Sequence, residues 1–568
     1  MNHKGRLLRA LVLTVVGFGL IAPIVFGLLQ TGRAAFGIFP PLGLDVLSLN
    51  PWGDLAALPG FGTSLRLTLV TGIGSTLLSL MLATGFCAAV HARLTATAGE
   101  RYLTPFLAIP HAAMAVGLAF ILAPSGWIAR LLAPLAGWDR PPDIASVNDG
   151  WGLALMTGLM VKEVPFLLLV ILSALGQVKV ARHMAAGRAL GYGRGIVWIK
   201  IIVPQLWPLI RLPVWVVLVY ALSAVDMAII LGPSNPPTLA VAVSRWFSDP
   251  DLAMIMPASA GAILLAAVVV LALALLIAAE AAIRMLGRWW LGRGGRGAFA
   301  EPGLWVAGVG VMALMALGGL AMLSLVIWSL AWRWTFPQIL PETWSLKSWT
   351  GAQNGWQRAL VNTLILAGAT VGLSLTLAIA WLEAEDQAGR GRAYWAEMLI
   401  YLPLLIPQIG FLYGLNVGFL WIGLSGGIGA VIWAQALFVF PYVMIALSDP
   451  WRAMDRRMIH AAAALGAGPG RRLWAVKLPL LLRPILTAAA IGVAVSVAQY
   501  LPTLFMGAGR IATLTTEAVT LSSGSDRRVT GVYATLQAAL PFAVYFAAFL
   551  IPAILHNNRR DLLGNTVR

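Results

Sequence analysis

The chain has 568 residues, 60% of them hydrophobic and only 11% charged, with a mean hydropathy of +0.85. Soluble globular domains carry about 25% charged residues, so a water-soluble protein is excluded and an integral membrane protein is indicated. The formal net charge of +17 is spread over short loops between apolar runs, which fits orientation of membrane spans by positive loops and argues against nucleic-acid binding, where basic residues gather on one face.

The opening stretch, "MNHKGRLLRALVLTVVGFGL", joins a basic segment to an apolar run from Leu11 to Leu29. That run is long for a signal-peptide core and no small-x-small cleavage site follows, so an uncleaved first span is expected. A span needs roughly 20 apolar residues. On that measure the first half offers spans at about 11–29, 67–90, 103–123, 151–175, 207–231 and 257–280, and the second half at about 303–331, 359–382, 398–419, 427–447, 484–506 and 531–555. The stretch Met398 to Ser448 has no Asp, Glu, Lys or Arg and is too long for one span; "GLSGGIG" (Gly423 to Gly429) supplies the turn that divides it. The single cysteine, Cys87, lies within an apolar run, so neither a disulfide nor a Cys/His metal site is expected.

Positive charge concentrates in alternate connections: His91–Arg101, Lys179–Lys200, Arg284–Arg296 and Arg452–Lys477, with Lys4, Arg6, Arg9, Arg559 and Arg560 near the ends. The 383–397 connection is mixed, with Glu383, Glu385 and Asp386 against Arg390 and Arg392. The other face carries Asp45, Asp54, Asp139, Asp143, Asp149, Asp249 and Asp251. Both termini are therefore expected in the cytoplasm. The 23 Trp residues cluster near loop edges (Trp127, Trp138, Trp151; Trp332, Trp334, Trp344), where indole rings anchor the membrane interface.

The expected fold is all-α and polytopic, about twelve transmembrane helices in two six-helix repeats: residues 1–286, a Gly/Arg-rich linker over 287–302, and 303–568. The halves correspond in order. "TSLRL" (Thr63–Leu67) answers "NTLIL" (Asn362–Leu366), "IPHAAMAVG" (Ile109–Gly117) answers "LPLLIPQIG" (Leu402–Gly410), and "VPFLLL" (Val164–Leu169) answers "FPYVMI" (Phe440–Ile445). The fourth pair is "AAGRALGYGRGIVWIKIIVPQ" (Ala185–Gln205) and "HAAAALGAGPGRRLWAVKLPL" (His460–Leu480). Gly191 precedes Pro204 by the same thirteen residues that separate Gly466 from Pro479. In each copy an alanine-rich turn favours helix without bulk, a glycine-rich break permits the turn between two short helices, and a proline stands where a new helix begins. The product is a short helix outside the membrane, offered to another protein.

These segments resemble the EAA loop of ABC-importer permeases, whose pattern is roughly Glu-Ala-Ala, three residues, Gly, nine residues, Ile, one residue, Leu-Pro. Here the loops fall at about 182–204 and 456–479; Ile201 and Val476 take the Ile place, and Ala185 and His460 stand where the family has Glu. The resemblance spans both halves, and the head-to-tail fusion is similar to the fused permeases of thiamine and ferric-iron importers. It implies a transport subunit without a catalytic site, which translocates a small solute delivered by a periplasmic binding protein across the bacterial inner membrane. It implies coupling helices that dock two copies of an ATPase subunit through Ala185, Ala186, Leu190, Gly191, Gly193 and Arg194, and through His460, Ala461, Leu465, Gly466, Gly468 and Arg471. It further implies ATP and Mg bound on that partner, with no cofactor or metal on this chain. The chain's six lysines (4, 162, 179, 200, 347, 477) never follow a glycine, so no Walker A motif is present and ATP chemistry must reside elsewhere.

A charge in mid-bilayer costs about 2.5–3.5 kcal/mol or more, so the polar residues within spans are candidates for the solute path. Lys162 and Glu163, in "VKEVPF", form either a wall or gate of that path or interhelical contacts that fix packing; copy two has Phe438 and Val439 there. Asp226, late in the fifth span, is matched by Gln499 in copy two. In related permeases an acidic residue often occupies this stretch, and such a group would favour a cation such as thiamine; a helix-end contact is the alternative. Arg211 and Arg483 are read as snorkelling and His111 as a hydrogen-bonded packing residue.

The competing reading is a twelve-span secondary transporter. A major-facilitator chain would show a Gly-x-x-x-Asp-Arg-type motif after its second span, where this chain has "HARLTATAGERY". A polytopic membrane enzyme would need convergent His, Cys or acidic constellations, and six His and one Cys form none in sequence.

Overall fold

A computed structural model describes residues 3–90, 103, 105–292, 300–351, 355–389, 394–524 and 526–555. The basic connection His91–Arg101, Arg293 and Arg296 of the linker, Arg390, Arg392, Arg559 and Arg560 lie outside them. In the first half α1 (His3–Val16) and α2 (Ala22–Ala35) flank a π-helical turn, followed by α3 (Phe61–Val90), α4 (His111–Leu122), α5 (Trp127–Ala136), α6 (Leu153–Leu175), α7 (Val180–Ala189), α8 (Arg194–Val197), α9 (Val203–Ser223), α10 (Asp226–Leu231), α11 (Leu239–Phe247) and α12 (Ile255–Gly292). The second half runs through α13 (Ala300–Leu330), α14 (Trp356–Ala388), α15 (Tyr394–Tyr401), α16 (Ile409–Trp421), α17 (Ile428–Arg452), α18 (Arg456–Ala464), α19 (Pro469–Arg472), α20 (Leu482–Ala498), α21 (Leu501–Gly507), α22 (Leu514–Ser522) and α23 (Arg527–Leu555). After α13 comes a small antiparallel hairpin, β1 (Ala331–Arg333) with β2 (Thr343–Trp344).

Ten helices among the described residues are long and apolar enough to cross a membrane. Two bent pairs, Trp395–Leu404 with Ile409–Trp421 (92°) and Pro469–Leu480 with Leu482–Ala498 (75°), bring the number to twelve when each pair is counted as one span. The turn expected at Gly423–Gly429 separates α16 from α17, with Gly423 and Gly426 at positive φ. Four expected spans are not continuous: the 103–123 run breaks before His111 and the 398–419 run before Ile409. The 207–231 run breaks after Ser223 and the 484–506 run after Ala498, so α10 and α21 are separate short helices, and α11 and α22 follow. Hydropathy could not show this, because both sides of each break are apolar.

The repeat is close in the second part of each half: α8, the following π-turn (Trp198–Ile202 or Leu473–Lys477), the end of α9, the start of α10 and the whole of α11 match α19 through α22 at one constant offset. Earlier the structure corrects the register read from sequence by one helical turn. Thr68, not Ser64, corresponds to Thr363, since Thr68 Oγ1 accepts from Leu239 N at the start of α11 (2.8 Å) and Thr363 Oγ1 accepts from Leu514 N at the start of α22 (3.0 Å). Likewise His111 opens α4 as Gln408 caps α16, which pairs Gly117 with Gly414 rather than with Gly410. A four-residue slip keeps the same helix face, so composition alone discriminates poorly between the two registers.

The first span of each half is exchanged. α1 and α2 pack along α14 and α16 of the second half, and α13 packs along α3 and α4 of the first. Glycine permits the crossings: an added Cβ at Gly117 would lie 2.5 Å from the Ala321 carbonyl oxygen, and one at Gly414 would collide with that of Gly27. Close backbone approach at small residues is a main source of helix association in lipid. Ser324 Oγ adds a hydrogen bond to Gly117 O at 3.1 Å. The second spans carry small buried hydroxyls, Ser64, Thr68, Thr71, Ser75 and Ser79 on α3 and Thr363, Thr370 and Ser374 on α14. Several donate to their own helix, as Thr71 does to Leu67 O at 2.7 Å, which satisfies the hydroxyl where no water is present.

Candidate functional site

Between the halves lies a cavity of about 170 Å³. The breaks after α9 and α20 bring Asp226 and Gln499 to its wall, and the starts of α4 and α16 bring His111 and Gln408. Tyr220, Phe438, Tyr442 and Tyr500 supply aromatic surface. The His111 ring lies 4.5 Å from that of Tyr220, whose hydroxyl is 3.5 Å from Asp226 Oδ1. Gln499 Oε1 is buried without a hydrogen-bond partner. The lining therefore offers a carboxylate and a free amide oxygen, and among the described residues it contains no Lys or Arg.

The candidate path residues separate into two groups. Asp226 and Gln499 share the cavity, but they are not strict equivalents: Asp226 is the first residue of α10, whereas Gln499 is the residue just after α20, two positions out of register. Lys162 and Glu163 lie outside the lining. Lys162 Nζ donates to Phe106 O (2.9 Å) and Ile109 O (2.6 Å), the carbonyls left open where the third span breaks before Pro110. Glu163 Oε2 accepts from Ser79 Oγ on α3 at 3.0 Å. The two side chains thus serve different partners, as adjacent positions on a helix must. His111, read as a packing residue, stands in the cavity wall. Tyr220, Gln408, Tyr442 and Tyr500 were not singled out; the paired "IPH" and "IPQ" at the two broken spans was the signal available for Gln408.

At one end of the bundle stand the two EAA-like segments. α7 ends in Leu190–Gly191 and α18 in Leu465–Gly466, with Gly191 at φ +77° and Gly466 at φ +81°. The hydrogen bonds repeat: Gly191 N to Arg188 O (2.9 Å) and Tyr192 N to Gly187 O (3.0 Å) correspond to Gly466 N to Ala463 O (3.0 Å) and Ala467 N to Ala462 O (3.0 Å). Left-handed glycine is the usual means of closing a helix this way. Gly193 and Gly468 then hold extended backbone that starts α8 and α19. Ala185, Ala186, His460, Ala461 and Arg471 are exposed, Arg194 is half-buried, and Leu190 and Leu465 expose 65% and 88% of their surface. Large apolar side chains presented at such turns suit insertion into another protein. After the first turn Arg194–Ser223 runs on as one span, whereas after the second Pro469–Leu480 and Leu482–Ala498 meet at a 75° bend.

The two segments are anchored by different chemistry. In the second half Lys477 is buried and sits 2.6 Å from both Glu383 and Asp386 at the end of α14. Arg452 pairs with Glu385 at 2.9 Å and Glu397 at 2.5 Å. In the first half the places of Lys477 and Glu383 are taken by Ile202 and Ala88, both buried. There Arg194 donates to Ala89 O at 3.0 Å and meets Glu301 of α13 at 3.5 Å.

Comparison with known proteins agrees with this architecture. Residues 388–558 match the family described as binding-protein-dependent transport system inner membrane component. The chain is 31% identical over 510 residues to the inner membrane ABC transporter permease protein YnjC of Escherichia coli, covering 89% of this chain and 91% of that protein. It is 28% identical to the molybdenum transport system permease protein ModB of Mycobacterium bovis over 35% of this chain and 76% of that protein. A putative 2-aminoethylphosphonate transport system permease protein, PhnV of Salmonella typhimurium, is 27% identical over 30% of this chain and 65% of that protein. Two related sets of spans around a shared cavity, with paired turns at one end, are thus the body of a transport subunit rather than an enzyme, and the chain belongs to the inner-membrane permeases of binding-protein-dependent ABC transporters.

Proposed function

We propose that this permease imports a small organic cation, thiamine-like in bearing both a positive charge and an aromatic face. The observation that carries the reading is the cavity lining: the Asp226 carboxylate and the unpartnered Gln499 Oε1 stand among Tyr220, Tyr442 and Tyr500, with no Lys or Arg among the described residues of the wall. Aromatic faces and a carboxylate attract cations, whereas an oxyanion would meet repulsion. A bare ferric ion fits less well, because no group of three His, Cys, Asp or Glu able to hold a metal occurs among the described residues. In this reading a periplasmic binding protein delivers the solute. Two copies of an ATPase subunit, which bind ATP and Mg, dock on the Gly191 and Gly466 turns, and both termini face the cytoplasm with those turns.

The test is uptake of labelled thiamine by cells in which this permease, with its ATPase and binding protein, is the sole importer. Asp226→Asn is expected to reduce uptake at least tenfold while ATPase co-purification stays intact. Unchanged uptake would remove Asp226 from the path, and absence of uptake by the unaltered protein would reject the solute class.

A further inference from the structure

Opposite the Gly191 and Gly466 turns, a pocket of about 460 Å³ lies where the halves meet, walled by Arg130, Arg527, Arg528, Trp328, Trp332 and Trp334. Its place in the fold follows from α13, which starts beside Arg194 at Glu301 and reaches the pocket at its far end. The three guanidinium groups are not equally engaged. Arg130 is committed to the backbone, donating to Ser125 O (2.9 Å), Thr335 O (2.7 Å) and Gln338 O (2.5 Å). Arg528 is paired with Asp526 at 3.0 Å and donates to Trp332 O at 3.1 Å. Arg527 stands 5.2 Å from the Trp328 ring and 5.9 Å from that of Phe120, and it has no hydrogen-bond acceptor among the described residues. One acid against three arginines leaves the pocket positive.

Next to it runs a groove of about 400 Å³ whose wall is almost wholly apolar, formed by Ile121, Ile128, Leu131, Leu317 and Leu320 with Trp127 at its head. Trp127 joins the two spaces: its ring lies 6.3 Å from Trp334, and its Nε1 donates to Ile339 O at 3.0 Å. From Trp328 to Leu317 the helix descends roughly 16 Å at the α-helical rise, so the groove leads from the cationic pocket down into the bilayer. Ile128, Leu131 and Leu320 are exposed along it.

This combination is not a by-product of the repeat. The related corner of the first half makes the same turn, with Ala253 N donating to Asp251 Oδ1 (2.9 Å) as Arg528 N donates to Asp526 Oδ1 (3.0 Å). Yet Leu252 and Ala253 stand there in place of Arg527 and Arg528. The second half thus carries two arginines, where the first has Leu252 and Ala253, beside a tryptophan cage and an acyl-sized groove.

We propose that pocket and groove together bind one anionic phospholipid, with the phosphate on Arg527 within the tryptophan cage and one acyl chain along α13. Arginine between spans recognises anionic headgroups, and tryptophan favours the headgroup level.

The test uses the full chain, delipidated in detergent and offered equal amounts of phosphatidylglycerol and phosphatidylcholine, with retained lipid counted by native mass spectrometry. At least a tenfold preference for phosphatidylglycerol is expected, falling to near parity in Arg527→Gln and persisting in Arg527→Lys. Ala316 also lines the groove, and Ala316→Trp, which fills it, is expected to reduce phosphatidylglycerol retention at least threefold while leaving binding of glycerol phosphate unchanged. Equal retention of both lipids by the unaltered protein, or a preference that survives Arg527→Gln, would overturn the proposal. Glycerol phosphate binding with no effect of Ala316→Trp would mean a free-anion pocket and overturn it too. So would lipid indifference accompanied by Arg527-dependent binding of an acidic partner protein.

Discussion

Gly414 on α16 packs directly against the backbone of Gly27 on α2, with no room for a single methyl group between them. The contact joins the first span of one half to the third span of the other, and Gly117 against Ala321 is its counterpart. The two halves of the permease are therefore interlocked rather than merely abutted. Any rocking of one against the other must carry an exchanged span with it.

Replacing Gly414 by Leu is expected to force these backbones apart. Overpacking a tight core costs about 1–3 kcal/mol, and here the obstacle is backbone, which cannot rotate away. Fluorescence-detected size-exclusion after heating should show a midpoint lower by several degrees, while Gly372→Leu on α14, with nothing within 4 Å of the added Cβ, should leave it unchanged. Equal midpoints for the two variants would refute the interlock.

The buried Lys477 pair makes the second EAA-like segment dependent on charge. Removing one partner of a buried ion pair costs about 3–5 kcal/mol, whereas replacing the pair by well-packed apolar groups is often neutral. Glu383→Leu alone should lower thermal stability and ATPase co-purification. Because Asp386 also touches Lys477, full recovery should require Lys477→Ile, Glu383→Ala and Asp386→Asn together, which approximates the first half's apolar version. The triple variant's midpoint is the measurement that decides this.

At Gly191 and Gly466 the constraint is conformational, since an added Cβ meets nothing within 4 Å at either turn. A β-branched residue at positive φ is strained by about 1–2 kcal/mol, while Asn tolerates that region. Gly191→Val and Gly466→Val should therefore weaken ATPase association, and the corresponding Asn variants should largely retain it. Association that is lost equally with Val and Asn would point to a steric contact with the ATPase instead.

Lys162 gives a further contrast. Lys162→Met leaves Phe106 O and Ile109 O without their donor, and unsatisfied buried carbonyls cost about 1–3 kcal/mol. Lower thermal stability with thiamine uptake retained per folded molecule would match its place outside the cavity. Loss of uptake at full stability would return Lys162 to the solute path.

What the sequence alone determined was everything that depends on local composition. Long apolar runs set the membrane class, their number and spacing set the twelve spans, and the constant distances around Gly191 and Gly466 exposed the duplicated turns. These features are written in contiguous residues, so no folding is needed to read them. Tertiary structure alone decided which spans cross between halves, that Asp226 and Gln499 meet in one cavity while Lys162 turns to backbone carbonyls, and that one EAA-like segment is anchored by the buried Lys477 pairs while the other has Ile202 and Ala88 there and is anchored by Arg194 on Ala89 O and Glu301. Each of these is a contact between residues far apart in the chain, and in a uniformly apolar sequence many helix faces are chemically alike. Only the close approach permitted by a few glycines, and the need of each buried polar group for a partner, selects one arrangement among them.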